Sequence, residues 1–175
     1  PPSSQTSRRE PTQSSADHFT KEQQAVSLIN QGKLQEAEAL YRELISAGRS
    51  NHILYGNLAA LCGKQGRFDE LIKLLRKALQ LNPNYPKAHF NLGNAHQQQG
   101  NLHAAITSYN TALRLKPNHP EAHNNLGNAL KKQGDLDAAI ASYNTALRLK
   151  PNYPEAHYNL GNALKKQGDL DAAIA

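Results

Sequence analysis

Asparagines at 91, 125 and 159 stand one fixed interval apart, and side-chain amides continue the row backwards at Asn57 and Gln23. A carboxamide offers two N–H donors and an oxygen with two lone pairs, so it can pair with a peptide group on either side. A row of such amides suits holding the N–H and C=O groups of an extended polypeptide without reading its sequence. A second row holds Asn94, Asn128 and Asn162. Asparagine costs roughly 0.5 kcal/mol against alanine inside a helix, so its repetition asks for a reason. Lys131, Lys132, Lys165 and Lys166 add positive charge suited to acidic groups. Phe90 and Tyr158 share one repeat position and suit anchoring an apolar side chain. The plainer alternatives are amides that bond neighbouring helices or face water, a solvated lysine face, and exposed helix filler.

Other chemistry finds little support. His89, His123 and His157 sit one interval apart, in successive units rather than around one ion, and read as repeat-core packing. No phosphate-cradling glycine loop, nucleophile elbow or paired-carboxylate context is present, so no cofactor, metal or catalytic residue is expected and the chain does not read as an enzyme. A net charge of +6 mildly favours acidic partners. No nucleic-acid motif accompanies that charge, and few aromatics are available for base stacking.

What positions the amides is a repeat. The first part of the stretch from Pro120 to Tyr153 returns at Pro154, where only Asn124 against Tyr158 differs, and the stretch is preceded by a close copy from Pro86 to His119. The copies start at Pro86, Pro120 and Pro154, a constant step of 34 residues. A fixed period of that length marks a repeat array. Weaker copies occupy 52–85 and 18–51, giving complete units 18–51, 52–85, 86–119 and 120–153 and a partial one at 154–175. Within a unit, Asn118 and Glu121 have capping-box spacing, with Pro120 in the first turn. Ala122, Leu126, Ala129 and Leu130 then follow at helical spacing. Gly134 suits the left-handed end of that helix. Asp135 caps a second helix carrying Leu136, Ala139, Ile140, Tyr143, Ala146 and Leu147, and Pro151 ends it. Gly66, Gly100 and Gly168 are expected to make the same turn as Gly134. Each unit is thus two antiparallel helices.

The composition agrees. With 38% apolar residues, 6% aromatic and no Trp, the chain is lean for a globule with one deep core, whereas stacked units bury only a stripe each. The single cysteine, Cys62, falls at an apolar frame position; it excludes an intrachain disulfide and fits a reducing, cytoplasmic compartment. No run is long enough to span a membrane, and 1–17, rich in Pro, Ser, Thr and Gln, reads as a disordered or extended leader.

The residues at Leu126, Gly127, Leu130, Ala139, Tyr143, Ala146 and Pro151 resemble the tetratricopeptide repeat (TPR) of bacterial type, in phase over 18–175. The histidines at 89, 123 and 157 depart from it, standing where the family usually carries a large residue such as Trp. The resemblance implies an all-α, right-handed superhelical solenoid of antiparallel helix pairs, with first-helix positions lining a concave groove. In the 120–153 unit these are Glu121, Asn124, Asn125, Asn128, Lys131 and Lys132. The run NLGNAL resembles the asparagine ladder in the repeat domain of protein O-GlcNAc transferases, and by that resemblance Asn57, Asn91, Asn125 and Asn159 are the leading peptide-binding residues. The expected role is a protein-interaction scaffold that binds an extended peptide segment in the concave groove through Asn amides, with the lysines favouring acidic residues. The alternatives are the substrate-recruiting part of a larger transferase-type enzyme, and head-to-tail self-association through the C-terminal end.

Overall fold

The computed structural model describes residues 13–174, with side chains placed over 20–168. Among the described residues there are nine helices and no strand. They are α1 (Gln13–Asn30), α2 (Leu34–Ser46), α3 (His52–Lys64), α4 (Phe68–Leu81), α5 (Pro86–Gln98), α6 (Leu102–Leu115), α7 (Pro120–Gln133), α8 (Leu136–Leu149) and α9 (Pro154–Ile174). The described residues divide into two compact units, one ending at Ser50 and one beginning at Asn51.

The first unit is the α1–α2 hairpin. Ala25, Leu28, Ala37, Tyr41 and Leu44 are buried along its helices. Arg49 pairs with Glu22 at 3.1 Å. Residues 1–12 of the expected leader lie outside the described residues, and 13–17 are helical as the start of α1.

The second unit is an all-α solenoid of helix hairpins, α3–α4, α5–α6 and α7–α8, continued by α9. The second helix of each hairpin packs on the first helix of the next, and successive first helices also touch, α3 with α5, α5 with α7 and α7 with α9. The apolar stripes therefore close into small successive cores. One gathers Ala59, Cys62, Leu75, Ala88 and Leu92, so Cys62 is buried filler. The next gathers Ala105, Tyr109, Leu113, Ala122 and Leu126, and another Ala139, Tyr143 and Ala163.

The turns follow from local chemistry. Gly134, at φ +102°, takes the left-handed conformation that an L side chain resists, and lets the N–H groups of Gly134 and Asp135 both close on Leu130 O at 3.0 Å. The Asp135 carboxylate then accepts from Ala138 N–H at 3.1 Å, satisfying one orphan donor of α8. Lys150, forced extended by the following Pro151, ends that helix.

Three expectations are corrected. The capping box at Asn118 does not form. Pro120 occupies the first turn of α7, which makes His119 the N-cap, and no side chain caps that end. The histidines at 89, 123 and 157 are not core packing. Each Nε2 lies 2.9–3.0 Å from the carbonyl of the proline six residues earlier, Pro83, Pro117 and Pro151. A carbonyl only accepts, so each Nε2 carries a proton and donates, clasping the loop to the helix it precedes. His123→Ala is accordingly expected to lower stability by about 0.5–1 kcal/mol, seen as a small drop in the urea midpoint. Finally, Gly168 makes no turn. It lies inside α9, which runs unbroken to Ile174. Continuing a helix adds one hydrogen bond per residue, whereas a hairpin is stabilised by the packing of its second helix.

Candidate functional site

The first helices of the second unit bring part of the amide row together. Asn91 and Asn94 on α5 and Asn125 on α7 line a cavity of about 540 Å3, with Gln97, Tyr109 and Lys64 in the same wall. Lys64 is the one cation among these lining residues. The spacing explains the convergence: residues three and four apart on a helix share a face, so Asn91 and Asn94 stand together on α5.

The amides are bonded to one another as well as exposed to the cavity. Asn125 Nδ2 donates to Asn94 Oδ1 at 2.9 Å, bridging α7 to α5. Asn94 Oδ1 and Gln97 Oε1 each lie 2.8 Å from the Tyr109 hydroxyl, which has one proton and donates to one of them at a time. One unit on, the Tyr143 hydroxyl donates to Asn128 Oδ1 at 2.8 Å. Asn159 Nδ2 donates to Asn124 Oδ1 at 3.1 Å, bridging α9 to α7. Asn125 and Asn159 thus tie successive first helices together. Asn57, Asn91 and Asn162 make no side-chain hydrogen bond among the described residues, and Asn57 and Asn91 are half-buried. Asn57 and Asn159 do not line the cavity; Asn162 lines another.

Asn124 differs from its expected place. It is 4% exposed, the one buried polar side chain of the described residues, so it does not line a groove. Its amide bonds Asn159 and approaches Asn125 at 3.4 Å. The sequence signal was there, because position 124 is where the copies starting at Pro120 and Pro154 differ (Asn124, Tyr158), but a difference alone does not say inward or outward. Phe90 is half-buried, 4.7 Å from the His119 ring and 6.0 Å from the Tyr109 ring between centroids. Tyr158, at the same repeat position, is 72% exposed. Tyr109, Gln97 and Lys64 were missed as site residues. The tyrosine reads as core filler from its apolar spacing, and its hydroxyl's direction depends on how α6 is docked.

The lysines separate. Lys131, Lys132 and Lys166 gather with Asn162 around a depression of about 420 Å3, and Lys165 lies outside it. Lys131 also holds its ammonium 6.0 Å from the Tyr143 ring centroid. Among the described residues no three His, Cys, Asp or Glu side chains gather closely enough to hold a metal ion. Nor is any helix among them long and apolar enough to cross a membrane.

Burial holds the tyrosine protons tightly. Tyr143 is pushed up to about 12, and Tyr109 is raised further, its burial partly offset by the neighbouring Asn125 amide. A group whose pKa is higher folded than unfolded stays protonated longer in the folded state. Stability is therefore unaffected below the unfolded value of 10.0, then falls as pH rises from there towards 12. Urea unfolding across that window is expected to show Tyr143→Phe losing less stability than the parent; parallel curves would contradict the linkage.

With the geometry in hand, comparison with known proteins decides the family. A profile of the TPR repeat matches residues 61–100, 98–134 and 127–168. The chain belongs to the TPR repeat family. The TPR fold is a protein-interaction scaffold. No curated protein sequence matches the chain. Among solved structures it is similar in fold to a crystal structure of MamA, at 24% identity and TM-score 0.77, covering 86% of this chain and 88% of that one. MamA 41-end from Desulfovibrio magneticus RS-1 superposes at TM-score 0.80 with 18% identity, covering 90% and 89%. YrrB, a TPR protein with an unusual peptide-binding site, gives 0.71 at 20% identity, covering 82% and 74%. At these identities the likeness is one of fold.

Proposed function

We propose that this TPR array holds an extended segment of a partner protein along the first helices of its second unit, gripping the partner's backbone through side-chain amides. The observation that carries the reading is the convergence of Asn91, Asn94 and Asn125 on one cavity of about 540 Å3. The amides keep capacity for a guest. Asn125 uses one of its two N–H groups on Asn94, and the Asn94 contacts engage its oxygen and leave its own N–H groups. Asn91 keeps all of its donors and acceptors. The cross-links hold Asn94 and Asn125 in place before the guest arrives, so less side-chain freedom is lost on binding. The peptide-binding site ascribed to YrrB favours the same use of the fold. The lysine depression around Lys131, Lys132 and Lys166 suits acidic residues of the same guest.

The test uses the amides that make no interhelical bond. Asn57→Ala with Asn91→Ala is expected to weaken binding of a captured partner peptide by about tenfold, at roughly 0.5–1.5 kcal/mol for each hydrogen bond lost, with helicity unchanged. Unchanged affinity with an intact fold removes the amides from the account. Asn125 and Asn159 are poor choices for the first experiment, because their substitution also cuts a bridge between helices.

A further inference from the structure

The repeats are near copies, so the places where they differ report what one unit does that its neighbours do not. A second cavity, of about 440 Å3, opens beside the first and shares Asn91 with it. Its other walls include the rings of Tyr85, Phe90 and His119, and Lys87 and Lys116 stand at it with no carboxylate among the lining residues. Neither lysine makes a salt bridge among the described residues.

The following repeat supplies the control. The position of Lys87 is Glu121 there, and that of Lys116 is Lys150. Lys150 and Glu121 pair at 3.6 Å, and the Lys150 ammonium lies 4.5 Å from the Tyr153 ring centroid. The position of Phe90 is Asn124, buried and bonded to Asn159. In the preceding repeat the Phe90 position is Gly56, and the Tyr85 ring fills the space, 2.8 Å from where a Cβ would stand. One neighbour thus satisfies its charge and closes the position with a polar bond, and the other closes it with a ring. The 86–119 unit keeps ring walls and two cations without a partner.

We propose that this cavity is a specificity subsite that takes an aromatic side chain of the bound segment, flanked by Asp or Glu residues whose carboxylates meet Lys87 and Lys116. The subsite rests on the peptide-binding reading above and adds sequence preference to it. Ring walls favour an aromatic guest through edge and offset contacts. Burial, with Lys116 and His123 nearby, lowers the pKa of His119 against the opposing pull of Glu121 at 3.8 Å, which favours the neutral ring as a wall for an apolar guest. In an extended guest, side chains two apart share a face. Acidic residues two positions before and after the aromatic one therefore fall on the side of the lysines. Asn91, in the wall of both cavities, can hold the guest's backbone where it passes from one to the other.

The experiment measures binding of fluorescein-labelled Ser/Gly peptides with an amidated C-terminus, so that no terminal carboxylate contributes. One carries a central Phe with Glu two residues to either side; a second has Lys in place of both Glu; a third has Ser in place of Phe. The Glu–Phe–Glu peptide is expected to bind about tenfold more tightly than either of the others, with the advantage over the Lys peptide shrinking as salt rises. Lys87→Glu, which installs the pair seen between Glu121 and Lys150, is expected to remove the preference for Glu over Lys. Lys87 is exposed, so this variant keeps its fold. Equal binding of all three peptides, falling alike with Asn57→Ala and Asn91→Ala, overturns the subsite and leaves the amide reading standing. A preference that survives Lys87→Glu also overturns the subsite. No binding of any peptide overturns both.

Discussion

Tyr109→Ala is expected to destabilise the second unit by about 3–5 kcal/mol, the range for removing a buried ring from a packed core. Tyr109 is fully buried, and it does three things at once. Its ring fills the core between α6 and α7, in contact with Ala105, Leu113, Ala122 and Leu126. It rests on Gly93 of α5, and its hydroxyl meets Asn94 and Gln97 at 2.8 Å. Deletion therefore opens a cavity beside the candidate site and frees the amides that line it. Tyr109→Phe separates the two roles. It keeps the ring and is expected to cost only about 1 kcal/mol, the net worth of one hydrogen bond. Repeat arrays can unfold piecewise, so urea melts are best paired with amide hydrogen exchange, which should place the Tyr109→Ala loss in α5, α6 and α7. A loss below about 1 kcal/mol for the alanine variant would mean that neighbouring side chains collapse into the space, contrary to the packing described.

The same substitution, glycine to alanine, is expected to have opposite signs at equivalent positions of the repeat. In a helix interior alanine is normally favoured over glycine by about 1 kcal/mol. Gly93, Gly127 and Gly161 are one repeat apart, all inside helices. A Cβ on Gly93 would stand 2.5 Å from two ring carbons of Tyr109, and one on Gly127 would stand 2.6 Å from Cε1 of Tyr143. Those rings have no exposure to retreat into, and their hydroxyls are anchored on Asn94 and Asn128. Overpacking therefore wins, and Gly93→Ala or Gly127→Ala is expected to lose about 1–3 kcal/mol. At Gly161 nothing stands within 4 Å of the added carbon, so Gly161→Ala is expected to gain up to about 1 kcal/mol. Three urea midpoints check this. A gain at Gly127 would show that the tyrosine can move, and its anchoring on Asn128 would have to be reconsidered.

The lines of this fold that were plain in the sequence are those written by local rules. The step of 34 residues, the Pro at helix starts, Gly134 and Asp135 at the turn, and the alternation of small and large apolar residues all act within one hairpin, and all appear where expected. The same rules failed at Gly168, because a turn residue permits a reversal without compelling one. They also failed at His89, His123 and His157, where an apolar slot in the frame holds a ring whose nitrogen reaches a proline carbonyl.

The site divides in the same way. From the sequence alone came the period, the family resemblance, the rows of amides and the single difference, Asn124 against Tyr158, between the copies at Pro120 and Pro154. The docking of one helix against another decided the rest: that Asn91, Asn94 and Asn125 meet around one cavity, that Asn124 turns inward while Asn91 stays open, and that Lys150 finds Glu121 while Lys87 and Lys116 find no acid. The physical reason is the range of the forces. Helix and turn formation depend on neighbours a few residues away. The direction of a polar side chain is set by partners about a repeat distant, whose positions exist only once the hairpins are packed.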